Sequence, residues 1–445
     1  MTASQTLLLG QTISFRGDPF LHSPSDCFDY CRDGAVLVEN GKIIASGEAA
    51  AVRPLARTDA TVENYDDAII SAGFIDTHVH YPQTPMIASY GEQLLQWLEK
   101  YTFIVEQQFA DEAYASRIAE FFLQELLRNG TTTAAVYCTV HPQSVDAFFE
   151  QSQKLNTLMI AGKVMMDRNA PASLLDTAGS SYTQSEQLIR RWHNNGRQHY
   201  CITPRFAGTS SPEQLAAASD LWREYPDTYL QTHLAENRDE VAWMRELFPA
   251  HTSYLEIYAS HNLLGPRSIY AHCIHIDEDN FCAFHRSGAA MAHCPTSNLF
   301  LGSGLFDLAG AKNPQRPVRV GLGTDIGAGT SLSQLQSLNE AYKIAQLRGA
   351  VNHTSIDRLD PLRAFYLATR GGAEALYLDD RIGSLTAGND ADITVLDPRA
   401  TPLLQLRYER AENIEDVLFA LMMLGDDRAV RATYVAGRCV YREKS

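Results

Sequence analysis

Two histidines separated by one residue, His78 and His80, end the apolar segment FIDTHVH. Such a segment is typical of a short buried strand, in which alternate side chains lie on the same face. Both imidazoles would then reach one point, and imidazole is the commonest protein ligand for a divalent transition metal. With 14 histidines in 445 residues, one such pair could also arise by chance. The pair alone leaves a metal site and chance equally open.

Polar residues at the ends of four later apolar segments favour the metal site. The segments carry the motifs HLAEN, AHCIH, MAHCPTSN and GLGTDIGAG in that order. Five strand ends that offer His, Glu or Asp are hard to explain by packing, because charged side chains are rarely buried without a partner or a metal. The polar residues of the four motifs are His233 and Glu236, His272, His293, and Asp325.

Strand-like and helix-like segments alternate between residues 71 and 380. Because the polar residues gather at strand ends, the pattern predicts an α/β fold with a distorted (β/α)8 barrel, whose chemistry lies at one mouth. The predicted strands include 134–138, 161–167, 200–206 and 229–236, and the predicted helices include 112–129, 212–224, 236–248 and 331–347.

Both chain ends read as strands and turns. The N-terminal part contains the hairpin signal Asn40-Gly41. We expect one small β-sandwich domain built from residues 1–70 and 381–445, with the barrel at 71–380.

Composition limits the partners of the chain. With 37 Lys and Arg against 53 Asp and Glu, the net charge is −16, which disfavours nucleic acid and anionic membranes. The eight cysteines show no CxxC pairing, and no stretch approaches the ~18 apolar residues of a membrane span. The N-terminus lacks a signal-peptide pattern. These features favour a reduced, cytoplasmic protein.

A long insertion, residues 84–110, follows the first barrel strand. It has an apolar face at roughly helical spacing. Because it follows the two histidines directly, it is a candidate lid or pocket wall. Packing on the barrel or on a second subunit is equally open. The apolar face consists of Leu94, Leu95, Leu98, Tyr101 and Phe103.

The motifs resemble those of the amidohydrolase superfamily and, within it, the guanine deaminase family. FIDTHVH, QTHLAEN, YAHCIH, AHCPTSN, GLGTD and the closing GSLTAGNDADITVLD carry the superfamily pattern. LLQWLEKYTF, GKVMMDRN and ITPRF resemble the guanine deaminases in particular. One departure is Ile104-Val105, where that family usually has a proline after the phenylalanine. The resemblance implies an amidohydrolase-type barrel, a cytoplasmic and commonly homodimeric enzyme, and hydrolysis of guanine to xanthine and ammonia.

The resemblance also implies roles for individual residues. One zinc ion per subunit would be held by His78, His80, His233 and Asp325. An activated water would attack C2 of guanine while Glu236 shuttles protons, assisted by His272 and Asp325. The base would be bound by Gln83, Arg205 and Phe206, together with Glu236.

The side chains themselves leave some of these roles open. Arg205 presents a planar fork of donors that suits O6 and N7 of guanine, but it could also be a surface ion-pair residue. Glu236 could instead be an acid at a helix N-terminus. His272 is a candidate metal ligand, water-orienting group or core residue. Of the remaining polar residues, His275 is expected to have a structural role, and His293 either lines the pocket or supports it from behind. Lys163 is a possible bridge between two metal ions, but a site with two metals is disfavoured.

Two alternative functions remain at this point. The same chemistry could act on another heterocycle, such as 8-oxoguanine, a modified adenosine, cytosine or a triazine. The chain could also be a non-catalytic protein that keeps the amidohydrolase fold, although all proposed ligands are present.

Overall fold

The strands of the chain fall into two groups along the sequence. A computed structural model describes residues 5–352 and 359–443. Four strands come first: β1 Gln5–Phe15, β2 Phe28–Glu39, β3 Lys42–Glu48 and β4 Thr61–Ala72. The central strands are β5 Phe74–His80, β6 Thr131–Tyr137, β7 Leu158–Gly162, β8 Val164–Met165, β9 Gln198–Pro204, β10 Tyr229–Leu234, β11 Ser268–His272, β12 Ala290–His293 and β13 Arg319–Leu322. The last are β14 Ile393–Leu396, β15 Val430–Val435 and β16 Arg438–Arg442.

Helices separate most of the central strands, as the sequence pattern predicts. The α-helices are α1 Pro24–Cys27, α2 Ala49–Val52, α3 Leu94–Trp97, α4 Phe103–Glu106, α5 Glu112–Arg128, α6 Pro142–Leu155, α7 Ala178–Trp192, α8 Pro212–Glu224, α9 Arg238–Leu247, α10 Tyr254–Ser260, α11 Glu278–Ser287, α12 Pro295–Phe300, α13 Leu308–Ala311, α14 Gln334–Asn352, α15 Pro361–Ala368, α16 Arg370–Ala375, α17 Pro402–Tyr408 and α18 Ile414–Leu424.

The central strands form a parallel barrel in the order β5-β6-β7-β9-β10-β11-β12-β13. Strand β8 continues the position of β7 beside β9, after an interruption at Lys163. The ring closes where the His80 N–H donates to the Ile326 carbonyl at 3.1 Å and the Asp325 N–H donates to the His78 carbonyl at 2.9 Å. The predicted (β/α)8 barrel is confirmed. Its closure brings two of the predicted metal ligands, His78 and Asp325, onto neighbouring backbones.

The two chain ends form one seven-stranded sheet in the order β16-β15-β14-β4-β1-β2-β3. Antiparallel pairing of β14 with β4 joins the C-terminal strands to the N-terminal ones. The predicted β domain built from both termini is therefore present. The hairpin signal also holds, because Asn40 and Gly41 link β2 to β3 with φ values of 51° and 78°. The domain bounds 1–70, 71–380 and 381–445 remain our proposal, and β4 itself runs on to Ala72.

The insertion after β5 is helical from residue 94 to residue 110. Helix α3 continues through a π-helical turn at Leu98–Thr102 into α4 and a final 3-10 turn at Gln107–Ala110. Trp97 is buried and packs edge-on against Phe300 with ring centroids 5.7 Å apart. The helical spacing of its apolar residues is thus a correct prediction, and the segment packs back over the barrel.

Among the helices within residues 5–352 and 359–443, none has the length and apolar character that crossing a membrane requires.

Candidate active site

Three histidines and one aspartate converge at the C-terminal mouth of the barrel. The Nε2 atom of His80 lies 3.2 Å from Nε2 of His78 and 3.2 Å from Nε2 of His233. Asp325 Oδ1 lies 3.2 Å from His78 Nε2 and 3.3 Å from His80 Nε2. One ligand atom from each of the four side chains lies within 4.8 Å of the others. The four residues, predicted at the ends of three different strands, are thus brought together.

The protonation of this cluster suits a metal ion. The His233 Nδ1–H donates to the Arg205 carbonyl oxygen at 2.7 Å, which leaves the Nε2 lone pair directed into the cluster. Burial lowers the pKa of His78, lowers that of His80 to about 3, and lowers that of His233 well below its usual value. Burial tends to raise the pKa of Asp325, but its interactions with His78, His80 and His272 together outweigh burial and hold that pKa well below normal. Three neutral imidazoles and a carboxylate are a suitable donor set for zinc.

Glu236 and His272 lie beside this cluster. Glu236 Oε2 is 3.4 Å from His272 Nε2, and His272 Nε2 is 3.8 Å from Asp325 Oδ2. Ser303 donates its hydroxyl to Glu236 Oε1 at 3.2 Å, and Asn298 Oδ1 accepts from His272 Nδ1 at 2.9 Å. The buried Nε2 atom of His272 has no hydrogen-bond partner among the described residues. Both predicted catalytic side chains are therefore oriented towards the cluster by neighbours behind them.

Burial, together with the negative charge of Asp325, raises the pKa of Glu236 to about 8. Such a shift makes Glu236 a group that can both take and return a proton near neutral pH.

A single cavity joins the cluster to the predicted base-binding residues. Gln83, Arg205 and Phe206 all line it, and Phe206 packs edge-on against Trp243 with centroids 5.9 Å apart. The wall also includes Leu94, Trp97, Leu98 and Thr102 of the insertion, and the other lining residues are His80, His233, Glu236, Glu240, His272, Leu301, Asp325 and Ala328. The insertion therefore forms a wall of the pocket, which is one of the roles that the sequence left open for it.

Sequence reasoning missed two buried acids at this site. Glu106 in the insertion forms an ion pair with Arg205, with 2.7 Å between Oε2 and Nη1. Glu240 accepts hydrogen bonds from the backbone N–H groups of Glu236 at 2.8 Å and Asn237 at 3.1 Å. The signal for Glu240 was present, because Asn237 and Glu240 have the three-residue spacing of a capping box at the start of α9. For Glu106 the sequence carries no comparable signal.

The remaining candidate residues lie away from the reacting groups. His275 Nε2 contacts the Ser303 carbonyl oxygen at 2.9 Å, which is the expected structural role. His293 stacks on Phe306 with centroids 4.5 Å apart, and it is not among the described residues that line the cavity. Lys163 is fully buried and pairs with Asp176 rather than joining the metal-binding cluster.

Residues 69–440 match the model of the amidohydrolase family. The chain belongs to this family. Its members are metal-dependent hydrolases, which agrees with the His–Asp cluster at the barrel mouth.

The similarity extends to particular relatives. The chain is 53% identical over 412 residues to guanine deaminase of Escherichia coli strain K12, which covers 93% of this chain and 92% of that protein. A solved structure of E. coli guanine deaminase is similar with a TM-score of 0.94 and 50% identity, covering 99% of this chain and 100% of that one. Guanine deaminase of C. acetobutylicum with guanine bound in its active site has a TM-score of 0.89 at 28% identity, covering 98% and 100%. The predicted resemblance is confirmed.

Proposed function

We propose that this chain is a zinc-dependent guanine deaminase that hydrolyses guanine to xanthine and ammonia. The observation that carries the proposal is that one cavity holds both the His–Asp cluster and Arg205, in a chain 53% identical to a guanine deaminase. Other heterocycles and a non-catalytic role are not favoured, because the similar proteins named above are guanine deaminases and the catalytic side chains converge.

The residues that would hold zinc are His78, His80, His233 and Asp325, with one ion per chain. When bound, zinc acts as a Lewis acid and makes water a nucleophile at neutral pH. The protein keeps His233 in the required tautomer through the Arg205 carbonyl. The backbone of Arg205 thus supports the metal site while its side chain faces the base.

Glu236 is the proton-transfer group in this proposal. Its carboxylate takes a proton from the attacking water and delivers it to a ring nitrogen of the base. C2 then carries both a new hydroxyl and the amino group. The remaining hydroxyl proton passes to the amino group, which leaves as ammonia while the C2 carbonyl forms. The Ser303 hydroxyl fixes one carboxylate oxygen and leaves the other, Oε2, on the side of His272.

His272 and Asp325 assist the attack. His272 presents an unpartnered Nε2 towards the cluster, where it can accept a hydrogen bond from the attacking water and orient it. Asp325 has a second oxygen, Oδ2, that faces His272 and can accept a proton.

The base-binding residues orient guanine for this chemistry. O6 and the C2 amino group lie on different sides of the pyrimidine ring, so donors that hold O6 turn C2 towards the cluster. Arg205 provides those donors, Gln83 reads another polar edge, and Phe206 offers a ring for stacking.

A homodimer in the cytoplasm is the proposed setting of the enzyme. Both features rest on the resemblance to guanine deaminases, and the lack of pairing among the eight cysteines agrees with a reduced compartment. Light scattering of the purified protein would check the oligomeric state, with a mass of twice 49.4 kDa expected.

A substrate panel tests the proposed activity. Zinc-loaded enzyme is incubated with guanine, 8-oxoguanine, a modified adenosine, cytosine and a triazine, and ammonia release is measured for each. Guanine should give the highest kcat/KM of the panel. A higher kcat/KM for any other member, or no ammonia from guanine, would overturn the assignment.

A further inference from the structure

One buried carboxylate, Glu106, lies behind the base-binding wall and takes no part in the chemistry described above. It ends helix α4 of the insertion, is 1% exposed, and is not among the described residues that line the cavity. Its Oε2 accepts from Arg205 Nη1 at 2.7 Å, and its Oε1 accepts from Gln83 Nε2 at 3.2 Å. A single carboxylate therefore contacts both polar side chains that are proposed to read the base.

These contacts determine which end of the Gln83 amide faces which neighbour. A carboxylate only accepts hydrogen bonds, so the atom facing Glu106 is the amide nitrogen. The Gly327 N–H only donates, and it contacts Gln83 Oε1 at 3.0 Å. The acceptor on one side and the donor on the other thus determine which end of the amide is nitrogen and which is oxygen. Gln83 keeps a second N–H beyond its bond to Glu106.

Glu106 also controls the position of the Arg205 guanidinium. The ring centroid of Phe103, on the same short helix, lies 5.8 Å from the carbon of the Arg205 guanidinium. Within residues 5–352 and 359–443 the guanidinium donates to Glu106 alone. The cavity contains further carboxylates, among them Glu236 and Asp325. Because an unpaired buried charge is costly, Arg205 without Glu106 would turn towards those acids and away from the base.

We propose that Glu106 is a positioning residue that makes this wall a hydrogen-bond donor and so selects purines with an oxo rather than an amino group at C6. This inference rests on the proposed function, which supplies the orientation of the base in the pocket. A 6-oxo group accepts from Arg205, and the free N–H of Gln83 is a further donor on the same wall. A 6-amino group would face donors, and the buried polar groups of the wall would be left unpaired.

Binding of hypoxanthine and adenine tests this inference without turnover at C2. The two bases differ by the oxo or amino group at C6, and both lack the C2 amino group. Isothermal titration calorimetry of the zinc-loaded protein should show tighter binding of hypoxanthine. Glu106→Gln should lower the ratio of the adenine Kd to the hypoxanthine Kd by at least about tenfold, through weaker hypoxanthine binding. Glu99→Gln makes the same change at an exposed position of the insertion and should leave the ratio unchanged.

A second variant covers the case in which Glu106→Gln does not fold. Glu106→Asp keeps the charge but is one methylene shorter, so it cannot contact Arg205 and Gln83 at once. Its Kd ratio should fall between those of the parent and Glu106→Gln. A parental ratio in any folded Glu106 variant, or no preference for hypoxanthine in the parent, would overturn the inference.

Ammonia release from guanine, measured on the same preparation, separates this inference from the proposed function. A parent that prefers hypoxanthine in a Glu106-dependent manner but releases no ammonia would contradict guanine deamination and leave the role of Glu106 standing. If the parent deaminated guanine but its Kd ratio did not change in the Glu106 variants, the proposed function would stand and the role of Glu106 would be contradicted.

Discussion

The Arg205 carbonyl oxygen accepts a hydrogen bond from His233 Nδ1 at 2.7 Å, and the Arg205 guanidinium lines the same cavity that His233 enters. The same carbonyl accepts the His233 backbone N–H at 3.1 Å. One residue directly after β9 thus fixes the tautomer of a histidine of the proposed metal site and lines the proposed base pocket.

The metal-binding cluster is predicted to bind zinc in solution. His78→Ala, His80→Ala and His233→Ala should each lose zinc and guanine deamination together, because each removes one imidazole from a four-residue donor set. Elemental analysis and an ammonia assay on the same samples give both readouts. His285→Ala, which removes an exposed histidine on α11, should keep zinc and activity. Full zinc content in all three cluster variants would contradict the assignment.

Glu236→Gln should separate proton transfer from metal binding. The variant keeps the shape of the side chain but cannot take a proton, so zinc should be retained and kcat should fall by about 10²–10⁴-fold. Turnover and zinc content are measured on the same preparation. If kcat stayed near the parental value, the base would have to be Asp325 or His272.

The site is assembled from separate segments of the chain, and this explains which of its residues could be predicted from the sequence. His78, His80, His233 and Asp325 were predictable because each ends an apolar strand, and the barrel topology brings strand ends together. Glu106 was not, because its role depends on how a helical insertion packs back over β9, nearly a hundred residues further along the chain. Ser303 and Asn298 were missed for the same reason. Each lies in or after the short helix α12, where local pattern says nothing about the neighbour across the cavity.

Arg205 is predicted to be a specificity residue. Arg205→Ala removes the donors for O6, so kcat/KM for guanine should fall by orders of magnitude while zinc content stays unchanged. Arg205→Lys keeps the charge but loses the planar fork, and it should restore only part of the loss. Arg223→Ala on the exposed face of α8 is the matched control. Parental kcat/KM in Arg205→Ala would remove the main physical support for guanine as substrate.

Glu240 is predicted to make stability depend on pH. Burial, together with the charge of Glu236, raises its pKa from 4.5 to about 7. Because the folded-state pKa is the higher one, this contribution is fully present below pH 4.5 and is lost as pH rises through 7. The whole effect is about 3 kcal/mol at most.

Unfolding temperatures of the parent and Glu240→Gln between pH 5 and pH 8 check this prediction, with Glu246→Gln, an exposed acid on α9, as the control. The parent should lose stability relative to Glu240→Gln as pH rises, whereas the control should follow the parent. A difference between parent and Glu240→Gln that does not vary with pH would show that the Glu240 carboxyl titrates normally.

Hydrolysis at C2 of guanine is the central claim, and the origin of the new oxygen tests it most directly. Zinc-loaded enzyme is incubated with guanine in ¹⁸O-labelled water, and xanthine is analysed by mass spectrometry with fragmentation while ammonia is quantified. We predict one ammonia per xanthine and one ¹⁸O atom at C2, with the original oxygen retained at C6. Xanthine without the label at C2, or no xanthine at all from enzyme that contains zinc, would contradict the account.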